Sequence, residues 1–301
     1  MKHWFFAWLM GLLLTAGVAA AQNCANVKTG FDADRKPQNT ARDIVGHSLD
    51  EIVERGFIYF AVYEDFPPYS WRDDGKLRGV DIDIGKLIAD DLGVEARFFE
   101  VAAGENVDAD LRFNVWKGRL IGGQVANVML HVPYNRELAC RNEQVVLTGQ
   151  YFNEELAIAF RKDAYEDGGP TPPYFRYDKV GVENDSLSDF YLTGFMNGAL
   201  IPKMTRYPTP ADAMEGLRAG EVVAVMGAKG QLEHGLNDEL DIHQPPLGGL
   251  SLGTWTLGVA VRHSWRPLSY AVDDAIRAGV TDGRIEAIFG EYGLSYTLPE
   301  W

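Results

Sequence analysis

Cysteine is scarce in this chain: there are two in 301 residues, Cys24 and Cys140. With no second thiol or histidine at metal-ligand spacing, a cysteine-built metal centre is excluded. The six histidines are scattered, and no H-E-x-x-H pair, no strand-to-helix nucleophile elbow and no complete phosphate loop occurs. "GAKG" (227–230) lacks the preceding glycine and the following Ser/Thr that such a loop requires. Basic residues are also few, 28 against 43 acidic ones, a net charge of -15. That balance excludes a general nucleic-acid binder and disfavours anionic membrane surfaces. There is no internal repeat, and the only long apolar run lies at the N-terminus.

That run belongs to "MKHWFFAWLMGLLLTAGVAAAQ". Lys2 and His3 precede the apolar stretch Trp4 to Leu14, and Ala19, Ala20 and Ala21 supply the small side chains of a cleavage site. The reading is a secretory signal over residues 1–21, because the stretch is too short to span about 30 Å of hydrocarbon. The mature chain is expected in the periplasm, with no membrane insertion after cleavage. Asn23 is too bulky for a lipoprotein processing site, so Cys24 is not expected to carry a lipid. In an oxidising compartment the two cysteines favour a disulfide between Cys24 and Cys140, with two buried thiols as the alternative.

About 280 residues remain, enough for one large domain or two ordinary ones. At 46% hydrophobic and 12% aromatic the composition is that of a packed globular chain. Residues 22–46 lack periodicity and read as an arm. "SLDEIVERG" carries a capping box, Ser48 with Glu51, and a glycine stop. "FIYFAVY" is apolar throughout, as a strand buried on both faces of a parallel sheet would be. "GVDIDIGKLIADDLG" places Val80, Ile84, Leu87 and Ile88 on one helical face, with Asp81 and Asp83 in its first turn. "VEARFFEV" and "QVANVML" read as further strands, which makes an α/β layer. A second set follows: the strand "DKVGVEN", the helix "TPADAMEGLRAGE" with Thr209 as N-cap and Pro210 at its first position, and the strand "VVAVMG". "WTLGVAVR" is a last strand, and "RPLSYAVDDAIRAGVTDGRIEAIFGEYGL" reads as two helices broken near Asp282 and Gly283.

Taken in order, these pieces resemble the extracellular solute-binding proteins of bacterial ABC importers, in their polar amino-acid branch. "YEDFPPYSWRDDGKLRGVDIDIGKLIADDLG" is similar to that family's first strand, aromatic-proline loop and G-(F/V)-D-x-D helix. "RPLSYAVDDAIRAGVTDGRIEAIFGEYG" is similar to its closing helices. The resemblance covers nearly all of Phe57 to Leu294. It implies an α/β, two-lobed periplasmic binding protein fold with two crossing strands and a central ligand cleft. Lobe 1 would take residues 47–152 and, by a C-terminal return, 255–301; lobe 2 would take 153–254. The chain would cross near Tyr151 to Leu156 and again near Leu252 to Thr256.

The resemblance also implies a site. In "GGQVANVMLHVPYNRELACRNEQ", Arg136 falls where the family's arginine clamps a ligand carboxylate, a task suited to the planar guanidinium fork. His131 and Pro133 stand where hydroxyl residues are usual. Arg141 is the fallback if the register slips, and the alternative for Arg136 is a surface pairing with Glu137 or Glu143. Phe66 would cover the ligand with Tyr69 and Trp71 beside it, packing being the alternative for those two. Ser186, in "VENDSLSDF", would meet the ligand or simply cap a helix. The family's aspartate for an α-ammonium falls at Ala228, followed by Lys229, and its loss argues against a standard α-amino acid. Glu183 is a possible substitute that is expected to reach solvent.

The leading expectation is therefore a binding protein, not an enzyme, that captures a small anionic or carboxylate-bearing solute for an ABC permease. It would act as a monomer, without metal or cofactor. "NVWKGRLIGGQVANVMLHVP" is also similar to solute-binding-like proteins found with periplasmic quinoprotein alcohol dehydrogenases, so a non-transporting partner or assembly factor of such an enzyme is the alternative. A dehydratase-type enzyme on the same fold comes third.

Overall fold

The computed structural model describes residues 45–118, 123–165, 168–248 and 253–299. The signal segment, most of the arm and Cys24 lie outside them. The described chain opens on helix α1 (Leu49–Arg55), where Ser48 and Glu51 form the expected capping box and Gly56, at φ 76°, ends the helix. Strand β1 (Phe57–Tyr63) pairs in parallel with β4 (Glu95–Val101) on one side and β5 (Val128–Pro133) on the other. Between β1 and β4 lie a short hairpin, β2 (Trp71–Asp73) with β3 (Lys76–Arg78), and helix α2 (Val80–Asp91). All four apolar residues expected on the inner face of α2 are buried. Helix α3 (Val107–Leu111) runs into a π-helical turn, Arg112–Trp116.

Strand β5 starts four residues later than the pattern "QVANVML" suggests and runs past His131 to Pro133. Asn127 explains the late start: its side chain accepts from the Tyr59 and Arg55 nitrogens, and its own N–H donates to the Tyr59 carbonyl. After α4 (Arg136–Arg141) comes β6 (Val145–Arg161), a 17-residue strand that the sequence reading gave only as a crossing near Tyr151 to Leu156. Its first part is antiparallel to β11 (Thr254–Arg262), and its last part is antiparallel to β9 (Ala224–Ala228) and β10 (Leu240–His243). The remaining elements are β7 (Val180–Glu183), α5 (Leu187–Gly194), β8 (Met204–Tyr207), α6 (Pro210–Arg218) and α7 (Lys229–His234). The chain closes with α8 (Arg266–Thr281) and α9 (Arg284–Glu291), broken at Gly283 in the left-handed conformation.

The strand order β4-β1-β5-β11-β6-β9-β7-β8 makes one mixed sheet, with β10 alongside β6. Four apolar clusters divide between its two ends. At one end α2, α8 and α9 cover one face around Phe60, Ile84, Val272 and Phe289, while Leu111, Val115 and Trp116 cover the other. At the other end Phe175, Leu192 and Leu200 cover one face, and Met214, Leu217 and Leu232 cover the other. The C-terminal helices thus pack with the first set of strands, and β6 and β11 connect the two sets. This mixed α/β sheet is the class expected from the sequence.

Candidate ligand-binding site

Ligands of open α/β sheets sit beyond the carboxyl ends of parallel strands. Here those ends are β1 and β5 in the first set and β7 and β9 in the second, with β6 running between. After β1 the chain doubles back: Phe66 pairs with Ser70 in an isolated bridge, and its N–H donates to the Ser70 carbonyl at 2.8 Å. This tight loop sends Tyr69 inward, where it is 1% exposed. Gly79, at φ 132°, must be glycine, because a Cβ there would collide with the Tyr69 carbonyl. That close approach lets the Asp81 N–H donate to the same carbonyl at 2.9 Å.

His131 is brought to the loop by a bulge. β5 and β11 lose register between Met129 opposite Ala260 and Val132 opposite Gly258, so Leu130 and His131 face one residue, Val259. His131 takes φ 58°, a left-handed conformation uncommon outside glycine. Bulges re-aim side chains, and this one sets the imidazole 4.2 Å from the Tyr69 ring and 4.9 Å, edge-on, from Phe66. Phe66, Tyr69 and His131 therefore form one box at the end of β1 and β5.

Beneath the box lie two carboxylates that sequence reasoning did not select. Asp81 is fully buried; its Oδ1 accepts from the Tyr151 hydroxyl at 3.2 Å, and its Oδ2 lies 3.4 Å from His131 Nδ1. Glu154, on β6, is 1% exposed and accepts from the Tyr69 hydroxyl, the Glu155 N–H and the Gly230 N–H. Burial pushes the Glu154 carboxyl above the usual carboxylate range, against the pull of these donors. Burial, then the facing carboxylates Glu154 and Asp81, also push the Tyr69 and Tyr151 hydroxyls well up, so both remain donors. Gly230 belongs to α7 of the second set; a side chain there would strike the Tyr69 hydroxyl and crowd Glu154. Tyr69 thus bridges the first strand set to the second through the connecting strand. The available signals were a Glu–Glu pair inside the apolar run "YFNEELAIAF" and the Asp in the first turn of α2. Neither reveals burial, which depends on partners 70 and 85 residues away.

The other expected residues have the following surroundings. Lys229, at the first position of α7, pairs with Glu155 at 3.1 Å, both largely buried. Trp71 stands to one side, edge-on to His234 at 5.4 Å and Tyr292 at 5.7 Å. Arg136 is exposed at the first position of α4, two residues beyond the Tyr134 N–H that donates to the Thr256 carbonyl. Arg141, the fallback, pairs with Asp108 and Glu137. Ser186 caps α5 by accepting from the Asp189 N–H at 3.1 Å. Ala228 precedes α7 and supplies no side-chain cap. Glu183 does not simply reach solvent: it is half-buried at the end of β7, and burial raises its carboxyl. A pocket of about 260 Å³ elsewhere is lined by Arg161, Lys162, Asp163 and Arg218. These engage Asp163 or nearby carbonyls and converge on no free group. Among the described residues no His, Cys, Asp and Glu cluster fits a metal ion, and no helix is long and apolar enough to cross a membrane.

Residues 58–112 match the family model of bacterial extracellular solute-binding proteins, family 3. The chain is 26% identical over 247 residues to the L-cystine-binding protein TcyJ of Escherichia coli (strain K12), covering 80% of this chain and 84% of that one. Among solved structures it is similar to an ancestral cationic amino acid solute-binding protein, AncCDT-1, with TM-score 0.66, 20% identity, and 81% and 99% of the two chains covered. It is also similar to an amino acid ABC transporter substrate-binding protein from Streptococcus pneumoniae bound to L-arginine, with TM-score 0.60, 20% identity, and 84% and 100% covered. The fold is that of two-lobed periplasmic binding proteins. In sequence the chain is similar to family 3 bacterial solute-binding proteins over residues 58–112 and to the cystine-binding protein over most of its length.

Proposed function

We propose that this protein is a secreted periplasmic receptor that closes over a small carboxylate-bearing solute and hands it to an ABC permease. The observation that carries the reading is the Phe66, Tyr69 and His131 box at the strand ends, with Tyr69 reaching the second strand set. Such a box offers an apolar wall and few polar groups, as small-molecule sites do. Arg136 supplies a guanidinium from the same edge, and Ser186 a hydroxyl from the facing lobe. The lobes divide at residues 152/153 and 254/255. The solved relative bound to L-arginine and the cystine-binding relative indicate amino-acid-like ligands. Ala228 leaves the family's ammonium partner absent here, so the solute differs from an unmodified α-amino acid. The receptor works as a monomer without cofactor, and Cys24 pairs with Cys140.

The test is a thermal-shift screen of the mature protein against dicarboxylates, 2-oxo acids, L-arginine and L-cystine. A ligand at a hundred times its Kd stabilises by about 2.7 kcal/mol, a rise of several degrees at this chain length. Arg136→Ala should abolish the carboxylate response, since a hydrogen bond to a charged group contributes about 1.5–3 kcal/mol. Tight binding of an unmodified α-amino acid, or an unchanged response in Arg136→Ala, overturns the assignment. A second reading, docking on a periplasmic quinoprotein dehydrogenase, is favoured by the π-helical turn Arg112–Trp116, which opens the segment resembling the dehydrogenase-associated proteins and leaves Phe113 exposed. Co-purification with such an enzyme, with no solute response, would select it.

A further inference from the structure

Two polar atoms at the floor of the aromatic box are buried and face each other without a formed hydrogen bond: Asp81 Oδ2 and His131 Nδ1, 3.4 Å apart. Neither has another partner. A fully buried carboxylate oxygen is costly without a donor, and the atom facing it can supply one only by carrying a proton. We propose that Asp81 and His131 form a carboxylate–imidazolium pair in which Asp81 is a positioning residue and His131 is the cleft's anion receptor. This rests on the carboxylate reading of the cleft and adds to Arg136 a second group that meets the anion.

The geometry follows from the backbone. The bulge at Val259 and the left-handed φ of His131 point the ring down toward α2 rather than along the strand. Tyr69 and Phe66 clamp its faces and edge, and Tyr151 holds Asp81 through Oδ1. With a proton fixed on Nδ1 toward Asp81, the tautomer is set and Nε2 is the ring atom turned to the cleft. His131 is 12% exposed, and Nε2 is not among the buried unpartnered atoms. A second proton there makes an N–H donor carrying positive charge, which suits a carboxylate. The titratable groups facing His131 are Asp81 from α2, Tyr69 from the loop after β1, and Tyr151 and Glu154 from β6; Tyr63, on β1, faces Asp81. The tyrosine hydroxyls stay neutral donors, held so by burial and the facing carboxyls. Lys229 is already committed to Glu155.

The pair is read directly by ¹⁵N imidazole spectra of histidine-labelled mature protein from pH 5.5 to 8.5, with His131→Gln assigning the signal. The expected result is a His131 ring protonated at Nδ1 throughout and at Nε2 at the acidic end. Asp81→Asn, close in shape, should move the loss of the second proton to lower pH without changing the fold, as judged by circular dichroism. A ring bare at Nδ1 at pH 6, or a titration identical in Asp81→Asn, overturns the pair. The ligand arm uses succinate, 2-oxoglutarate and L-arginine as probes. Affinity for a binding carboxylate should fall at least tenfold from pH 5.5 to 8.5 in the wild type and stay flat in His131→Gln. An equal pH dependence in both proteins overturns the receptor role. If no carboxylate perturbs either the imidazole signal or the melting temperature, the carboxylate reading of the cleft fails and the receptor role with it. The spectra still decide the Asp81–His131 pair on their own.

Discussion

Glu154 shows how far a single residue's chemistry is set by its surroundings. Three donors converge on it, yet burial still leaves its carboxyl harder to ionise than in water. A carboxyl raised in the folded state holds its proton more firmly folded than unfolded. Its contribution is therefore greatest below the ordinary glutamate value of about 4.3 and is lost as pH rises through the folded-state value. Glu154→Gln removes this dependence. Between pH 4 and pH 7 the difference in urea midpoint, variant minus wild type, should grow in favour of the variant. A difference that stays flat, or that moves the other way, would show that the donors outweigh burial.

At the scale of elements, Ser186 and α5 separate two roles that the sequence leaves joined. The side chain caps α5 through the Asp189 N–H, and the proposed site gives the same hydroxyl to the ligand. Replacing an N-cap serine by alanine costs about 0.5–2 kcal/mol, whereas glycine costs only a few tenths. Ser186→Gly should therefore melt near the wild type and still lose ligand affinity, while Ser186→Ala should lose both. Equal affinity in wild type and Ser186→Gly, measured by calorimetry, would reduce Ser186 to a cap. The bulge in β5 belongs to the same scale, because one extra residue opposite Val259 brings His131 to the aromatic loop and to Asp81.

For the whole molecule the governing feature is that β6 and β11 link two sets of strands, while side chains tie those sets together beside them. Tyr69 meets Glu154 and approaches Gly230, Trp71 lies against His234, and the Ser295 N–H donates to Glu233 at 2.9 Å. The proposed Cys24–Cys140 disulfide would add a covalent tie from the arm to α4. Intact mass of the isolated protein containing both cysteines, alkylated without reduction, should show no modified thiol. Reduction should lower stability by about 2–5 kcal/mol, as for native disulfides in small secreted domains. Full alkylation without reductant would remove the tie.

Much of the fold was legible because its signals are local. The capping box of α1, Thr209 and Pro210 at the start of α6, the apolar run of β1 and the break at Gly283 each follow from the backbone needs of a few adjacent residues. The aromatic loop and His131 were singled out by their order along the chain, but their meeting in one box was not legible there. β6 was legible only through the resemblance, as a crossing near Tyr151 to Leu156, and its length was not: Gln150, Asn153, Glu154 and Glu155 interrupt its apolar pattern, because the strand changes partners partway along and so has no single buried face. The sequence by itself determined the elements, their α/β alternation and the residue types offered to a cleft. Only the tertiary structure decided that Asp81 and Glu154 are buried, that His131 turns toward one of them, and that Tyr69 joins the two strand sets. Burial and bulge register depend on which distant segments meet, and no local pattern encodes that.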